Sequence, residues 1–301
     1  MAPLTLPFAI VNAFTTSLSG GNPAAIILLT PSQDAELTYD QRITIARNLN
    51  QPMHMFVVPQ PSGELGVRWF TGVRENMLCG HATLAASGLF LNEKPGSTMY
   101  IQGADTAQSL SYTGVTNRLS GTRVEDNKVQ ISLDAAQVDE LDREDARAVK
   151  LRAAVASAFG ADVGVLYLGA GTGGYGTYCL IELDTEDIGS LKVDYMRLLE
   201  SDFVVHVFTS RPSPAAREKG VTFETRMFAP DLGVYEDPVC GSAHGLLVPY
   251  WDRKLGLKGA TMDSYQASAR GGDLWVGLEE EKGLVRLAGH VVKVVEGTIM
   301  A

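Results

Sequence analysis

Two stretches of the chain decide the fold, RWFTGVRENMLCGHAT at residues 68–83 and RMFAPDLGVYEDPVCGSAH at residues 226–244. Each contains an Arg-x-Phe motif typical of a strand, followed by a Cys-Gly pair and small residues typical of a helix start. The two arginines lie 158 residues apart and the two cysteines 161. A single repeat at this period indicates duplication of a lobe, since solenoid units recur every few tens of residues. We therefore predict two similar lobes, and two similar lobes form a cleft.

The segments around these motifs follow one plan in both halves. In the first half, a helix with a capping box at Thr38 and Gln41 is followed by strand-like MHMFVV and VRWF. In the second half, VDYMRLLES is predicted to be helical and is followed by strand-like VVHVFT and VTFETRMF. The sequence thus predicts an α+β protein. The turn-rich segment 114–128 is the candidate crossover between the lobes.

Length and composition exclude several classes of protein. A chain of 301 residues with 45% hydrophobic and 20% charged residues is typical of a globular protein with two domains. A net charge of −10 argues against nucleic-acid binding, because phosphate-backbone affinity depends on clustered Lys and Arg. No apolar run approaches the roughly 18 residues that a membrane span needs. We expect a cytoplasmic protein without a nucleic-acid or membrane partner.

A glycine-rich loop raises the question of a dinucleotide cofactor. Gly169, Gly171 and Gly174 match GxGxxG, and Asp194 stands 20 residues beyond the third glycine. That motif needs a helix start after the loop to hold the pyrophosphate, whereas YGTYCLIEL is aromatic, β-branched and strand-like. We therefore expect a hairpin loop here and no dinucleotide.

The cysteines argue against a disulfide framework and a metal centre. Cys79, Cys179 and Cys240 are few and dispersed, and the chain has no CxxC or HExxH spacing. Cys179 lies in strand-like YCLIEL, where a buried core residue is expected. We expect a protein without a metal or an organic cofactor.

The stretch CGSAH at residues 240–244 invites comparison with a serine hydrolase, in which Asp237 would be the third member of a triad. A nucleophile elbow needs glycine two residues before the serine, and Cys240 occupies that place before Ser242. The spacing therefore argues against hydrolase chemistry.

The two predicted helix starts, CGHAT at residues 79–83 and CGSAH, carry the stronger signal. Each places glycine and small residues where backbone N–H groups have no intrahelical acceptor, so each can hold a carboxylate or an oxyanion. Two such ends facing one cleft would bind an anionic or enolising substrate. Tight packing of helix against sheet is the alternative explanation.

Four stretches are distinctive when taken together and in order. They are VNAFTTSLSGGNPAA, RWF…ENMLCGHATLAA, EDPVCGSAHGLLVPYW and the closing SARGGDLWV…VRLAGHVVKVVEGTI. They resemble the PhzF-like (phenazine biosynthesis-like) family across nearly the whole chain. The resemblance implies the diaminopimelate-epimerase-type fold, with two hotdog-like lobes that each wrap a mixed sheet around a central helix, and a site in the cleft between them. The lobes are then residues 1–120 plus about 288–301, because the last strand returns to the first lobe, and residues 121–287.

By this resemblance His81 and Asp237 are the proton-transfer residues of a cofactor-independent isomerase or cyclase of specialised metabolism. An Asp beside a His in a closed cleft can share a proton and be tuned towards neutral pH. The substrate implied is a small conjugated carbonyl or carboxylate compound, and a homodimer is left open as the assembly. The residues expected to position the substrate are Asn22, Gly80, Gly241 and Ser242.

Two other functions stay open. Amino-acid epimerases of the same fold use one cysteine from each lobe as a pair of bases, and Cys79 and Cys240 occupy the matching places. Because a helix N-terminus lowers the pKa of a thiol, an epimerase or racemase is an alternative. A non-catalytic small-molecule-binding protein is the other.

The chain departs from the family pattern at one position. PhzF-like isomerases carry a glutamate as the base that moves a proton between carbons, in a stretch resembling N-L-S-E-T-x-F. Here residues 50–56 are NQPMHMF, which puts Met53 at the place of the glutamate unless Pro52 shifts the chain and brings His54 there. Methionine cannot take a proton, so we expect a more apolar pocket and a larger or less polar substrate.

Overall fold

The computed structural model describes residues 3–160 and 163–301, and its contacts divide the chain into two units. The first unit comprises the described residues up to Ser132 together with Ala288–Ala301, and the second comprises those of Leu133–Leu287. The candidate crossover at 114–128 lies within the first unit, because a strand at Arg118–Arg123 occupies its middle and pairs on both sides. The assignment of these units to separate domains stays a prediction.

Strands predominate in the first unit, and one long helix accompanies them. Two short helices lie between its second and third strands. The elements are β1 (Thr5–Ala13), β2 (Asn22–Leu28), α1 (Pro31–Glu36), α2 (Tyr39–Leu49), β3 (Met53–Pro59), β4 (Leu65–Phe70), β5 (Glu75–Asn76), α3 (Gly80–Asn92), β6 (Ser109–Thr113), β7 (Arg118–Arg123), β8 (Val129–Asp134), through which the chain passes to the second unit, and the last strand of the chain, β17 (Val291–Met300).

One mixed sheet in this unit wraps around α3. Across the sheet the strands run in the order β17, β1, β2, β3, β4, β6, β7 and β8, with β5 also paired to β4. The last strand, β17, lies antiparallel to β1 from Thr5 opposite Met300 to Ala13 opposite Val291, so the end of the chain pairs with its first strand.

Small residues let α3 lie against the sheet. Every residue from Gly80 to Leu91 is buried, and the helix contacts strands on both sides of β1. A Cβ atom on Gly88 would lie 2.1 Å from the side chain of Val291, which is closer than real contacts allow. The alanines, serine and glycines of this helix are therefore a packing requirement as well as a candidate site feature.

The helices α1 and α2 cover another face of the sheet. Thr38 and Gln41 form the predicted capping box at the start of α2, with reciprocal hydrogen bonds of 3.2 and 2.9 Å. Ile43 and Ala46 of α2 then pack into an apolar cluster with Phe56 of β3. This cluster defines which side chains of β3 face away from α3.

The second unit contains the remaining elements. They are β9 (Val138–Glu140), α4 (Ala146–Phe159), β10 (Val165–Gly171), β11 (Tyr178–Leu183), β12 (Val205–Ser210), α5 (Pro214–Glu218), β13 (Phe223–Phe228), α6 (His244–Leu255), β14 (Met262–Gln266), β15 (Gly272–Glu279) and β16 (Leu284–Gly289).

The strand pairings of the second unit repeat those of the first. Its strands lie side by side in the order β9 to β15. The pairs β11–β12 and β13–β14 are parallel, and the other four neighbouring pairs are antiparallel. The order β17, β1, β2, β3, β4, β6, β7 gives the same series, and α6 follows β13 as α3 follows β4 and β5. The predicted α+β class and the internal duplication are confirmed.

Local predictions in the second unit had mixed outcomes. The loop with the GxGxxG spacing joins antiparallel β10 and β11, which confirms the hairpin. Cys179 is fully buried in β11, as expected for a core residue. The stretch VDYMRLLES was predicted to be helical, but only a short 3₁₀ helix forms, at Tyr195–Glu200. No helix in the described ranges has both the length and the apolarity for a membrane crossing.

Candidate functional site

The start of α3 brings together the predicted residues of the first unit. Cys79 is the residue before the helix, Gly80 begins it, and His81 lies in its first turn. The backbone carbonyl of Pro23, the neighbour of Asn22 at the start of β2, lies close enough to the imidazole of His81 to raise its pKa. Asn22 and the Cys-Gly-His stretch therefore lie at the same end of this unit's central helix.

A tight turn fixes Asn22 at this position. Gly21, the preceding residue, has a φ of +68°, and a Cβ atom there would lie 2.2 Å from the carbonyl oxygen of Ala13. Only glycine adopts this conformation at such close approach without strain. The SGGN segment at residues 19–22 thus sets the start of β2.

Burial controls the protonation of His81. The side chain is 8% exposed, and desolvation lowers its pKa from 6.5 to about 4, against the opposing effect of the Pro23 carbonyl. The Nδ1 atom lies 3.3 Å from the Cys79 Sγ atom. At neutral pH the imidazole is therefore uncharged and adjacent to a thiol. An anionic substrate nearby would raise the pKa of this ring towards the range in which a general acid or base works.

Met53 and His54 lie on opposite faces of β3, because successive side chains in a strand alternate. His54 shares the face of Phe56, which packs against α2. Its Nδ1 atom donates to the carbonyl of Phe70 at 3.2 Å, and its Nε2 atom accepts from the N–H of Gln51 at 3.3 Å. Both ring nitrogens are thus used within the unit.

This geometry favours Met53 over His54 at the position where the family glutamate is expected. Met53 is 6% exposed and points to the opposite face from the α2 cluster. The helix α3 contacts β3 and contributes no described residue to that cluster, so Met53 lies on the α3 side. Burial meanwhile lowers the pKa of His54 to about 4, which keeps this ring neutral.

In the second unit, a four-residue loop carries Asp237 and Cys240. Asp237 Oδ1 accepts a hydrogen bond from the N–H of Val239 at 3.1 Å, which holds the carboxylate against its own loop. The Cys240 thiol lies 3.3 Å from the hydroxyl of Ser242. That hydroxyl is also 3.2 Å from the hydroxyl of Tyr178. The loop and the turn after it therefore place a thiol beside two hydroxyls, with the carboxylate of Asp237 three residues before the thiol in sequence.

The helix start predicted at CGSAH is displaced. Whereas α3 begins at Gly80, directly after Cys79, α6 begins only at His244. Residues 241–243 form a turn, closed by hydrogen bonds from the His244 N–H to the Gly241 carbonyl and from the Gly245 N–H to the Ser242 carbonyl. His244 holds this turn in place, because its Nδ1 atom bonds to the Cys240 carbonyl, and its Nε2 atom to the Ser264 hydroxyl, each at 2.9 Å.

This turn presents a row of backbone donors. Within the described ranges, the N–H groups of Gly241, Ser242 and Ala243 have no hydrogen-bond acceptor. Successive N–H groups at a helix start form a concave site for a carboxylate or an oxyanion. His244, in contrast, binds Cys240 and Ser264 and makes no bond to Ser242, so the serine-hydrolase alternative lacks its base.

Two residues of the site were not found from the sequence. Tyr178 lies opposite Val205 in the β11–β12 pairing, as Ala24 lies opposite Met53 in the β2–β3 pairing. Aligning the strands of the two halves, and not only their Arg and Cys motifs, would have marked Tyr178 as a difference between the lobes. The other residue, Gln266, bonds to the Asp237–Cys240 loop, and no motif pointed to it.

Two other features do not suggest a site. In the second unit, Glu182 is buried and bonds to both Tyr250 and Lys254, so the polar groups at the neighbouring depression satisfy one another. In the described part of the chain, no group of three or more His, Cys, Asp or Glu side chains is arranged to hold a metal ion. The depression, of about 250 Å³, is lined by Val138, Glu140, Tyr167, Tyr250, Arg253 and Lys254.

Comparison with known proteins gives matches over almost the full length. The family model described as phenazine biosynthesis-like protein (PhzC-PhzF) matches residues 11–297. A mouse protein named phenazine biosynthesis-like domain-containing protein 2 is 32% identical over 316 residues, covering 99% of this chain and 100% of the relative. An uncharacterized isomerase of Pseudomonas aeruginosa is 33% identical over 300 residues, covering 98% and 99%.

Solved structures show the same fold. The crystal structure of a PhzF-family protein from Enterococcus faecalis has a TM-score of 0.80 at 27% identity, covering 98% of this chain and 99% of that one. A hydroxyproline epimerase from Agrobacterium vitis shares the fold at a TM-score of 0.57 and 10% identity, with coverage of 100% and 92%.

Proposed function

Because the chain belongs to the phenazine biosynthesis-like (PhzC-PhzF) family, we propose that it is an isomerase that moves a proton within a small molecule. The relative from Pseudomonas aeruginosa, 33% identical, is named an isomerase. We propose further that the chemistry is acid–base catalysis without a cofactor. The observation that carries this proposal is the row of unbonded N–H groups at Gly241, Ser242 and Ala243, directly after the loop that carries Asp237.

These groups match the needs of an enolising substrate. Removal of a proton from a carbon beside a carbonyl places negative charge on the carbonyl oxygen. Backbone N–H groups aimed at that oxygen stabilise the charge as it develops. Return of a proton to a different carbon of the conjugated system then gives an isomer of equal composition. In the proposal His81 and Asp237 are the two groups that take and return the proton.

The identity of residue 53 indicates the substrate class. A buried methionine stands where the glutamate is expected, so the proposed site has one ionisable group fewer. A flexible thioether suits an apolar surface of irregular shape. We propose a conjugated carbonyl or carboxylate compound of specialised metabolism with an apolar portion next to Met53, and an isomerisation or cyclisation as its reaction.

Epimerisation is the second candidate. Cys79 and Cys240 precede equivalent segments of the two units, and each thiol has a polar side chain within 3.3 Å, His81 and Ser242 respectively. A thiol with such a neighbour can lose and regain a proton. This candidate places the reaction at a stereocentre instead of a conjugated system.

The test is incorporation of solvent deuterium. The purified protein is incubated in D2O with a panel of conjugated oxo acids and α-amino acids, and the products are analysed by mass spectrometry and NMR. Deuterium at a new carbon of a conjugated acid, lost in His81→Ala and Asp237→Asn, supports the proposal. The variant Asp231→Asn is the matched control, since Asp231 is exposed in the same unit. Absence of exchange with every conjugated acid contradicts the proposal.

The cofactor-free part of the proposal has its own test. Metal analysis and an absorbance spectrum of the active protein should show neither stoichiometric metal nor a chromophore, and treatment with EDTA should leave deuterium incorporation unchanged. Loss of activity on chelation, restored by one metal ion, contradicts this part.

A further inference from the structure

Gln266, the last residue of β14, bonds to both ends of the loop that carries Asp237. Its side chain is fully buried. The Nε2 atom donates to the carbonyl of Asp237 at 2.6 Å, and the Oε1 atom accepts from the N–H of Cys240 at 2.8 Å. The orientation of the amide is unambiguous, because a backbone carbonyl only accepts and a backbone N–H only donates. One side chain thus fixes two backbone points three residues apart.

Neighbouring groups hold the rest of this loop. The hydroxyl of Ser268 donates to the Pro238 carbonyl at 2.6 Å, and His244 bonds to the Cys240 carbonyl. Gln266 differs from both because it connects the residue of the carboxylate to the residue directly before the three N–H donors. Removing its side-chain amide would leave the buried Cys240 N–H and the partly buried Asp237 carbonyl without this partner, and the loop would relax at both ends.

The first unit has no counterpart to this side chain. The Arg-x-Phe motifs make Gly66 of β4 equivalent to Glu224 of β13, and these pair with Thr113 and Tyr265 respectively. The residue after Thr113 is Gly114, which therefore takes the place of Gln266. In the first unit, where the helix starts directly at Gly80, the segment before Cys79 is held at one point only by a side chain from this region, through the bond from Asn117 Nδ2 to the Met77 carbonyl at 3.2 Å. The displaced helix start and the glutamine occur together.

We infer that Gln266 is a positioning residue, which acts through the Asp237–Cys240 loop to hold the Asp237 carboxylate and the N–H groups of residues 241–243 in working geometry. This inference rests on the proposed function for its kinetic consequence. Its structural consequence is independent of any substrate. A misplacement of about 1 Å in such a group lowers turnover about 10²-fold.

The substrate-independent experiment is amide hydrogen exchange. Gln266→Leu removes both hydrogen bonds of the side-chain amide at nearly constant side-chain volume. Hydrogen exchange at the Cys240 N–H should then rise at least about tenfold, because its acceptor is gone. Thr209→Val is the matched control. Thr209 is fully buried in the same unit and bonds to the Glu224 carbonyl and the Trp251 indole, far along the chain from the loop. Unchanged protection of Cys240 in Gln266→Leu, or equal loss in Thr209→Val, overturns the inference.

The kinetic experiment uses the deuterium assay. Turnover in Gln266→Leu should fall about 10²-fold. The control Thr209→Val, compared with Gln266→Leu at a similar thermal midpoint of unfolding, should keep turnover within about threefold of the parent. Loss of Cys240 protection with full turnover overturns the inference. If the parent itself moves no deuterium, the proposed function fails, and the exchange experiment still decides whether Gln266 fixes the loop.

The conservative variant Gln266→Glu tests the same inference through the pH dependence of turnover, even if Gln266→Leu fails to fold. Gln266→Glu keeps an acceptor for the Cys240 N–H, but donates to the Asp237 carbonyl only when protonated. Burial raises the pKa of such a carboxyl. The ratio of Gln266→Glu turnover to parent turnover should therefore be near one at pH 5 and fall at least tenfold by pH 8. The assay temperature is kept well below the thermal midpoint of unfolding. A ratio independent of pH overturns the inference.

Discussion

Arg226 forms a two-pronged ion pair with Glu236, with its Nε and Nη2 atoms 2.7 and 3.1 Å from the two carboxylate oxygens, and its side chain is only 9% exposed. The duplicated Arg68 makes the same pair with Glu75, at 2.7 Å for both contacts, but is 34% exposed. Each guanidinium lies 5.1 Å from the ring centre of the phenylalanine two residues on. One motif therefore occurs in two environments.

These two ion pairs allow a matched test of how burial affects the contribution of an ion pair to stability. Glu236→Gln leaves the buried Arg226 without a counter-charge and should lower the free energy of unfolding by about 3 kcal/mol, near the low end for buried pairs. Glu75→Gln should cost about 1 kcal/mol or less, because water solvates the exposed Arg68. Urea unfolding of both variants measures the difference. Equal losses would show that exposure does not decide the strength of this motif.

The duplication was predictable because its signal is local. An Arg-x-Phe motif on a strand and a Cys-Gly pair before a helix are short, and each half of the chain carries both. The same holds for the capping box of α2 and for the hairpin after β10, where turn chemistry dominates.

The displaced start of α6 was not predictable, because it depends on contacts distant in sequence. His244 bonds to Ser264, and Gln266 bonds to Asp237 and Cys240, so the segment before α6 is held by a strand 20 or more residues later. CGHAT and CGSAH look alike in sequence, yet only the first begins a helix at its glycine. The assignment of roles to His81 and Asp237 came from the family resemblance and stays a prediction.

The buried histidines predict a dependence of stability on pH. Desolvation lowers the pKa values of four of them from 6.5 to about 4 in the folded protein, so between these values the unfolded chain binds more protons than the folded one. Stability is then complete above pH 6.5 and falls as the pH drops towards 4, by up to about 1.4 kcal/mol per pH unit for each histidine. The four are His54, His81, His206 and His244.

Urea unfolding at intervals from pH 7.5 to 4.5 measures this slope. His206→Gln removes one titrating ring from a buried strand position. The slope of the unfolding free energy against pH should then decrease by the contribution of one histidine. His206 suits this purpose because it has no place in the proposed chemistry. A slope unchanged in this variant would mean that His206 is protonated equally in both states.

Substitutions at the start of α3 and in the Asp237–Cys240 loop separate the proposed functions. For an isomerase, His81→Ala and Asp237→Asn should each lower turnover between about 10²-fold and 10⁴-fold, the usual contribution of a positioned acid or base. Cys79→Ala and Cys240→Ala should cost far less. For an epimerase the order reverses, since loss of either thiol removes one of the two bases, and the deuterium label appears at a stereocentre. Deuterium incorporation in the four variants, with folding checked by circular dichroism, gives the ranking.

Met53→Glu tests the departure from the family pattern. Met53 is buried on the α3 side of β3, so an ionised carboxylate there would cost on the order of several kcal/mol unless hydrogen-bonded. The carboxyl should avoid this cost by taking a raised pKa, and stability should therefore fall as the pH rises from about 4 towards that pKa, because the folded state then holds the extra proton. Met53→Gln, uncharged and of similar size, should show no such slope. We expect Met53→Glu to lose the native activity, measured as deuterium incorporation at pH 7.5, because the pocket would gain a polar group that the substrate does not match. Full activity in Met53→Glu would show that residue 53 does not contact the substrate, and the alignment of residues 50–56 with the family's glutamate stretch would then be wrong.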